Sequence, residues 1–275
     1  MLPHLHLYGL AWGAAALAWA ACGTLLLVRG SRSRGPVSHV TVASLLLAAV
    51  GAAFAGARLH HAAASPELWR AGPSALVLDS GAEGAGLRIT GGLLASLAVL
   101  LAFGPPAVRR RLTRAELLDA VVPPAGVAIA IGRLGCFADG CCFGLPAALP
   151  WATSFPPGSP AYWSHVAQGL IADGGGRSLP VHPLQLYLGL AGLVSFLASA
   201  YAGRSGPLPG HAALTFVAWM AALRLLLEPL RDTGFAAEVP YETQIDLVVL
   251  ACALALLARR RQRRAADASA VSSAG

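Results

Sequence analysis

Three arginines lie inside or at the end of strongly apolar stretches of the sequence: Arg58, Arg133 and Arg224. If these stretches cross a membrane, each guanidinium costs about 3 kcal/mol to insert and needs a cavity, a partner or an interface. Snorkelling to the surface or pairing with a carboxylate such as Glu228 would satisfy any single one. Three together favour a ligand, because the planar fork of arginine grips a phosphate diester through two hydrogen bonds. A phospholipid headgroup is the phosphate expected at that depth.

Polar residues also recur along one predicted helical face. Arg224, Glu228 and Arg231 are spaced i, i+4 and i+7, which places them on one side of a helix. We expect an ion pair between Glu228 and one of the two arginines, which leaves the other cation for a ligand. Pro229 removes a backbone donor and disfavours regular helix at Glu228, so this face is predicted to end in irregular backbone beside protein or water.

Three of the five cysteines, Cys136, Cys141 and Cys142, lie close together in the sequence. A disulfide from Cys136 to either of the other two would pin this loop. Zinc with His182 as the fourth ligand is the competing interpretation, but structural zinc usually uses two close pairs and this cluster offers one, so we expect no metal. Cys22 and Cys252 stand alone in apolar stretches and are expected to be small core side chains.

The composition indicates that these residues are held in a bilayer. Hydrophobic residues make up 56% of the 275 residues, charged residues 12%, and the mean hydropathy is +0.63. So few polar side chains cannot cover a soluble domain of this size. The net charge is +7 and every basic residue counted in it is arginine. Because these arginines cluster between apolar runs, they are typical of membrane topology signals, and we expect no nucleic-acid partner.

Apolar runs of roughly 20 residues, the length that crosses about 30 Å of hydrocarbon, recur along the chain. We therefore predict an all-α fold, a polytopic integral membrane protein with about seven transmembrane helices and a small extracytoplasmic cap. The helices form one domain over residues 1–264. The predicted spans are residues 5–28, 39–58, 91–108, 117–135, 183–202, 208–230 and 244–258.

The arginine clusters also predict an orientation. Most of them lie in alternate connections, at residues 29–34, 109–114, 204 and 259–264, which the positive-inside rule places in the cytoplasm. The N-terminus would then lie outside and the C-terminus inside, and the connections at about 61–88 and 137–181 would be outer loops. Residues 265–275, rich in Ser and Ala, are expected to be a disordered cytoplasmic tail.

The stretch GRLGCFADGCCFG, from Gly132 to Gly144, resembles the signature of the prolipoprotein diacylglyceryl transferase family of bacterial membrane enzymes. Six further motifs follow the family's order and, with the signature, cover the whole membrane region. They are Tyr8-Gly9-Leu10, Gly56-Ala57-Arg58-Leu59, Gly91-Gly92-Leu93, His182-Pro183-Leu184-Gln185-Leu186-Tyr187, Arg224 with Glu228 and Arg231-Asp232, and Gln244.

The resemblance implies a protein of the bacterial cytoplasmic (inner) membrane that needs no cofactor. The family moves the diacylglyceryl group of phosphatidylglycerol to the lipobox cysteine thiol of secreted prolipoproteins and releases glycerol phosphate. The phosphate gains negative charge as the bond breaks, so fixed cations stabilise the transition state more than the ground state. Carried over by position, Arg133 and Arg224 are the expected catalytic residues. The residues expected to bind phosphatidylglycerol are Tyr8, Arg58, Arg133, Gly144, Gln185, Glu228 and Arg231.

The sequence departs from the family's pattern at the expected base. The family has a histidine directly before the Gly-Gly-Leu run, and this sequence has Thr90 there. A thiol, with an unperturbed pKa of about 8.5, needs a base or a strong positive field to react as thiolate. The candidate replacement bases are His60, His61 and His182. Other departures are Cys136 and Cys141 in place of an Asn and a Glu, and Met220 in place of a Tyr.

Because of Thr90, a second class of function stays open: a non-catalytic relative that binds an anionic phospholipid or a lipoprotein precursor. A membrane thiol oxidoreductase built on the cysteine cluster ranks lower, since no Cys-x-x-Cys or cofactor motif accompanies it. A transporter ranks lower still, because the two halves show no evident repeat.

Overall fold

The structure is a computed structural model that describes residues 3–31, 38–63, 70, 89–102, 112–204, 208–232 and 240–273. These residues are mainly helical. The largest segment that is not is residues 140–183, which contain one short helix, and a 3₁₀ turn follows α8 at Glu228–Leu230. The α-helices are α1 (Pro3–Ser31), α2 (His39–Ala63), α3 (Ile89–Ala102), α4 (Arg114–Val121), α5 (Ala125–Asp139), α6 (Pro160–Ala167), α7 (Leu184–Arg204), α8 (His211–Leu227) and α9 (Pro240–Ser273).

The helices confirm a polytopic, all-α membrane protein. Within the described residues, five segments are long and apolar enough to cross a membrane, namely Leu7–Arg29, His39–Ala63, Arg114–Asp139, Leu184–Arg204 and His211–Leu230. Large apolar side chains such as Leu10 and Leu226 are 68% and 71% exposed, as expected of a surface that lipid covers. The predicted third span falls on α3 and on residues 103–108, which lie outside the described part, and the seventh falls on α9. The count of seven therefore stays a prediction.

The chain divides into two compact units: the first unit, Met1–Trp19 with Leu118–Gly275, and the second unit, Ala20–Leu117. In the second unit, α2 and α3 cross at backbone contact. A Cβ atom at Gly56 would overlap Ala95 and the Gly91 carbonyl, and one at Gly92 would lie 2.7 Å from the Ala53 carbonyl oxygen. Small residues allow this approach, which is a common way for helices to associate in membranes.

The first unit contains α5, α7, α8 and α9. Helices α5 and α7 also meet through glycines, since a Cβ atom at Gly192 would lie 2.7 Å from the Gly126 carbonyl oxygen. The start of α8 is capped by Asp119, whose carboxylate accepts hydrogen bonds from the backbone N–H groups of Gly210 and Ala213. A carboxylate there satisfies otherwise unpaired donors and the positive end of the helix dipole.

The structure differs from the predicted elements in two places, within the fourth span and at the C-terminus. The predicted fourth span is broken at Pro123 and Pro124, where α4 ends and α5 begins, because proline cannot donate the helical hydrogen bond. At the C-terminus, α9 continues to Ser273, which differs from the predicted disordered tail at residues 265–275. Alanine is the strongest helix former, and this segment is rich in it, so the helix can continue beyond the arginines.

Residues 140–183 fold into a small cap, as the sequence predicted for this region. Its core is made of the buried Phe155, Ala161 and Val181, with Phe137 and Phe143 packed against it. Thr153 and Val181 exchange both backbone hydrogen bonds, at 3.0 and 3.1 Å. The cap therefore has its own apolar core and backbone pairing, directly after the end of α5.

Candidate active site

The site is built around the C-terminal end of α5. Gly140 ends this helix in the left-handed conformation, with φ of 77°, and the N–H groups of Gly140 and Cys141 both donate to the Cys136 carbonyl oxygen, at 3.0 and 3.1 Å. Glycine is the residue that adopts this helix-ending conformation without steric penalty. The chain then turns back over the helix end in what we call the signature loop, residues 140–144. The Cys141 thiol comes within 3.7 Å of the same carbonyl oxygen.

This turn brings three thiols together. The Sγ atoms of Cys136, Cys141 and Cys142 all lie within 4.8 Å of one another. Cys142 has φ of 56° and is, among the described residues, the one non-glycine residue with a positive φ. Such backbone is strained for an L-residue and tends to occur at functional sites. All three cysteines are free thiols, so the disulfide suggested by their spacing is not formed in this structure.

Arginine lies beside the thiol cluster, which we define as Cys136, Cys141 and Cys142. Arg133 precedes Cys136 by three residues on α5, and its guanidinium interacts electrostatically with the thiols of Cys136 and Cys142. Its buried Nε atom has no hydrogen-bond partner in the described part of the chain. A buried, unpaired donor on a permanent cation is a group that an anionic ligand would satisfy.

The cysteines and arginines influence one another electrostatically. Hydrogen bonds with Cys136 and Cys141 lower the pKa of Cys142, and the positive charges of Arg133 and Arg231 lower it further. Hydrogen bonds with Cys136 and Cys142 raise the pKa of Cys141. The cluster is therefore a place where one sulfur carries negative charge more readily than its neighbours.

Gly144 fixes the other end of the signature loop. Its N–H donates to the His182 carbonyl at 3.0 Å, Leu145 N–H donates to the Leu230 carbonyl at 2.8 Å, and Gly144 forms an antiparallel bridge with Arg231. We call these backbone contacts the Gly144 strap. A Cβ atom at position 144 would lie 2.5 Å from the Leu230 carbonyl oxygen and 2.8 Å from His182 Cβ. Glycine is needed here because chain segments meet at backbone distance.

The polar face that follows α8 has the predicted irregular backbone. Glu228–Leu230 form a 3₁₀ turn around Pro229. Arg231 Nε donates to Glu228 Oε2 at 3.1 Å, which confirms that Glu228 pairs with one of its two neighbouring arginines. Glu228 Oε1 is buried without a hydrogen-bond partner in the described structure, so this carboxylate has accepting capacity left.

Gln185 flanks the same loop. It is fully buried at the start of α7, and its Nε2 donates to the Cys141 carbonyl oxygen at 2.6 Å. Its Oε1 has no hydrogen-bond partner within the described ranges. Gln185 therefore holds the loop through its amide nitrogen, and its amide oxygen can still accept a hydrogen bond.

Tyr8 lies on α1, which packs directly on the signature helix α5. The backbone of Tyr8 lies 3.4 Å from the position of a Cβ atom at Gly135, and the Trp12 ring lies 2.8 Å from the position of one at Gly132. Glycines on α5 therefore allow α1 to approach closely. The Tyr8 phenol is in electrostatic reach of Arg133 and the thiols.

Arg224 has a partner that the sequence analysis did not identify. Its Nε donates to Asp246 Oδ2 of α9 at 2.9 Å, and the two side chains are 23% and 15% exposed. Asp246 is a carboxylate near the start of the predicted seventh span, residues 244–258, so the criterion that drew attention to the arginines also applies to it. It could have been found by that criterion, although not assigned to Arg224.

The three candidate histidine bases are divided between the two units. His182 Nδ1 lies 3.5 Å from Tyr187 Oη, beside the Gly144 strap. Arg58, His60 and His61 belong to the second unit, where His60 packs against Gly91, directly after Thr90. The Nδ1 atom of His60 is buried and has no hydrogen-bond partner among the residues described.

The cap contributes a buried histidine that the sequence analysis also missed. His165 is completely buried, its Nδ1 accepts from Leu179 N–H at 3.1 Å, and its Nε2 lies 4.0 Å from Asp232 Oδ2. Burial lowers the pKa of His165. Because Asp232 directly follows Arg231, this pair connects the interior of the cap to the cationic site. A loop rich in Gly, Pro and Ser carries no periodicity that would have indicated a buried side chain.

The fold and the site define a multi-pass helical membrane protein with a cationic, thiol-lined site at the end of an apolar helix. The sequence profile described as prolipoprotein diacylglyceryl transferase matches residues 2–265. The chain belongs to this family of transferases, which act in lipoprotein biosynthesis, and the resemblance of the motifs is confirmed.

Individual relatives are similar over part of their length. The phosphatidylglycerol–prolipoprotein diacylglyceryl transferases of Bordetella parapertussis and Geobacter sulfurreducens are each 32% identical over 148 residues, 54% of this chain and 49% of the relative. The protein of the same name from Polynucleobacter necessarius is 36% identical over 122 residues, 44% of this chain and 38% of the relative. The chain thus aligns with about half the length, or less, of these curated relatives.

Proposed function

We propose that the protein transfers the diacylglyceryl group of phosphatidylglycerol to the lipobox cysteine thiol of secreted prolipoproteins. The observation that carries this proposal is Arg133: a permanent cation on the signature helix, with a buried and unpaired Nε, beside a second arginine and a thiol cluster. The family membership and the names of the relatives support the same reaction.

The reaction needs groups that stabilise a leaving phosphate. The sulfur of the incoming cysteine forms a bond to the terminal glyceryl carbon, and the bond from that carbon to the phosphate oxygen breaks. The released glycerol phosphate gains a negative charge. A fixed, partly desolvated guanidinium aimed at that oxygen stabilises the transition state in the way an oxyanion hole does. We assign this role to Arg133, with Arg224 held in place by Asp246.

Other residues would shape the cavity for the lipid headgroup. Glu228 holds Arg231 and has a free oxygen, and Gln185 fixes the loop through the Cys141 carbonyl. Gly144 allows the loop to approach Arg231, and Tyr8 flanks it. Arg58, and His60, His61 and His182 as replacement bases, keep the roles that the sequence alone assigns to them.

The arginine distribution supports a location for the site. Under the positive-inside rule, the cap and the thiol cluster face the periplasmic side of the inner membrane and the end of α9 faces the cytoplasm. The site would then lie where secreted prolipoproteins emerge and where phosphatidylglycerol of the outer leaflet is accessible. The partners would be this phospholipid and the prolipoprotein, both presented at the bilayer.

One observation favours a second function. Thr90 stands where the family has its base, so the protein could bind phosphatidylglycerol or a prolipoprotein without turnover. The two functions differ in product. Purified protein in vesicles containing phosphatidylglycerol, mixed with a lipobox peptide, would yield a diacylglyceryl thioether detectable by mass spectrometry under the first function and only lipid binding under the second. Complementation of a strain depleted of its own transferase tests the same distinction in cells.

A further inference from the structure

We propose that Cys136, Cys141 and Cys142 form a zinc site with one open coordination position, and that the lipobox thiol of the prolipoprotein binds there and is activated as a zinc thiolate. This inference rests on the proposed function, because it names the device that would replace the missing base of the transfer reaction. It concerns a metal site to which neither the family profile nor the names of the relatives point.

The geometry of the sulfur atoms suits a metal. The three Sγ atoms lie within 4.8 Å of one another. Zinc–sulfur bonds of about 2.3 Å in a tetrahedron separate the sulfur atoms by about 3.8 Å. Each sulfur atom would have to move by about 1 Å or less to reach that spacing. From the sequence we expected no zinc, because the cysteines offer only one close pair. In the structure, the left-handed turn at Gly140 brings Cys136 to Cys141 and Cys142, so that three ligands lie together.

The surroundings hold the ligands in place. Gln185 donates to the Cys141 carbonyl at 2.6 Å, and the Cys136 carbonyl accepts from both Gly140 and Cys141. Cys142 is kept in a strained positive-φ conformation of 56°. Hydrogen bonds behind the ligands orient them and are important for metal affinity. Cys136 is buried and Cys142 exposed, so the cluster has a closed inner side and an open outer side.

The charges are also balanced. Three thiolates and one Zn²⁺ carry a net charge of −1. Arg133 lies three residues before Cys136 on α5, and Arg231 pairs with Gly144, two residues after Cys142, so cations are already present to offset this charge. Three protein ligands with a vacant fourth position are the arrangement of catalytic zinc sites, whereas structural sites are closed by four.

With zinc bound, the transfer reaction accounts for every proton and electron pair without a protein base. The lipobox thiol binds Zn²⁺ at the fourth position and releases its proton to water, since a coordinated thiol is deprotonated. Its sulfur lone pair forms the bond to the glyceryl carbon, while the electron pair of the carbon–oxygen bond leaves with the phosphate held by Arg133. The product thioether is neutral and a weaker ligand than a thiolate, so it dissociates and reopens the position. No oxidant or reductant is consumed.

The first test is the metal content of the full-length protein, purified in detergent without chelators. We expect about one zinc ion per chain by elemental analysis, which falls below about one tenth in the Cys136→Ser, Cys141→Ser and Cys142→Ser variants. Cys22→Ser and Cys252→Ser, which change the two other free cysteines, are matched controls and should keep the metal. After Co²⁺ replaces zinc, addition of a lipobox peptide should strengthen the sulfur-to-cobalt absorption band, and a peptide with Ser in place of the cysteine should not.

Several results would overturn the proposal. They are protein without stoichiometric zinc that also takes up none when titrated, zinc retained in the triple serine variant, or a disulfide between two of the three thiols in the purified protein. Transfer that continues unchanged in zinc-free protein and fails in His60→Ala would assign activation to the histidine. Zinc bound as expected but no thioether formed would leave the metal site standing and refute the proposed transferase function instead.

Discussion

Arg224 and Asp246 form an ion pair of 2.9 Å that joins α8 to α9 within largely apolar surroundings. Removing one partner of such a pair takes a charged hydrogen bond away from the other. We expect Asp246→Asn to lower the free energy of unfolding by about 1–3 kcal/mol, because the part-buried guanidinium loses a charged hydrogen bond. Thermal unfolding in detergent, followed by helical circular dichroism, measures this effect.

Variants of the same ion pair distinguish a loss of stability from a loss of catalysis. If Arg224 holds the leaving phosphate, Arg224→Gln should reduce transfer at least about tenfold at a temperature where both variants are folded, while Asp246→Asn retains most of it. Equal loss of transfer in the two variants would show that Arg224 acts only through its contact with Asp246.

Arg133 is expected to contribute most to the transition state. Replacing it by alanine should lower kcat by about 10²- to 10³-fold, the range found when a preorganised donor to a developing anion is removed. Arg133→Lys should recover part of the rate, because it keeps the charge but loses the bidentate fork. Transfer rates to a lipobox peptide in phosphatidylglycerol vesicles measure both, with Arg204→Ala, at the exposed end of α7, as control. A rate indifferent to residue 133 would contradict the mechanism.

Gly144→Ala tests the Gly144 strap. The new methyl group would lie 2.5 Å from the Leu230 carbonyl oxygen, so the loop must move away from Arg231. We expect a destabilisation of about 1–3 kcal/mol, typical of overpacking, together with loss of transfer. Gly13→Ala in α1 is the matched control, because no atom lies within 4 Å of the position that its methyl group would take. Similar unfolding temperatures for the two variants would argue against the strap.

Gly56→Ala tests the crossing of α2 and α3 in the second unit. A methyl group there would overlap Ala95 and the Gly91 carbonyl, so the helices must separate. We expect a lower unfolding temperature and faster proteolysis of the connection between them. Gly51→Ala lies on the same helix with open space around it and should leave both unchanged or slightly improved, since alanine favours helix. Equal behaviour would mean that the glycine contact is dispensable.

The buried His165 predicts a pH dependence of stability. Burial lowers its pKa in the folded protein, whereas in the unfolded chain the pKa is about 6.5. Below that pH the unfolded state binds more protons, so stability falls as the pH decreases from about 7 towards about 5. Unfolding temperatures across this range should show a shallower slope in His165→Gln. His39→Gln, which changes an exposed histidine at the start of α2, should keep the slope of the original protein.

The sequence was most informative where length and hydropathy decide the structure. Apolar runs of membrane-spanning length predict helices almost independently of tertiary context, so α1, α2, α7 and α8 lie close to their predicted bounds. The continuation of α9 to Ser273 was not predicted, because alanine is common in both helices and polar tails. Pro123 and Pro124 lie inside the predicted fourth span, and the break between α4 and α5 at these prolines was not predicted.

At the site, residue types were predictable and their partners were not. The spacing of Arg224, Glu228 and Arg231 predicted that Glu228 pairs with one of the two arginines, although not which one. The pairing of Arg224 with Asp246 joins two separate helices, so it depends on packing that a single sequence does not reveal. The approach of Cys136 to Cys141 depends on the left-handed conformation of Gly140, and the sequence spacing alone suggested a disulfide that is not formed in this structure.

The signature loop is held by main-chain groups. Gly144 and Leu145 donate to the carbonyl oxygens of His182 and Leu230, and Gln185 binds the carbonyl of Cys141. None of these bonds uses the side chains at positions 141 or 142. Mutation can therefore exchange the functional groups at positions 141 and 142 while the loop keeps its shape. Relatives with other side chains at these positions could then activate the lipobox thiol by different mechanisms on the same fold.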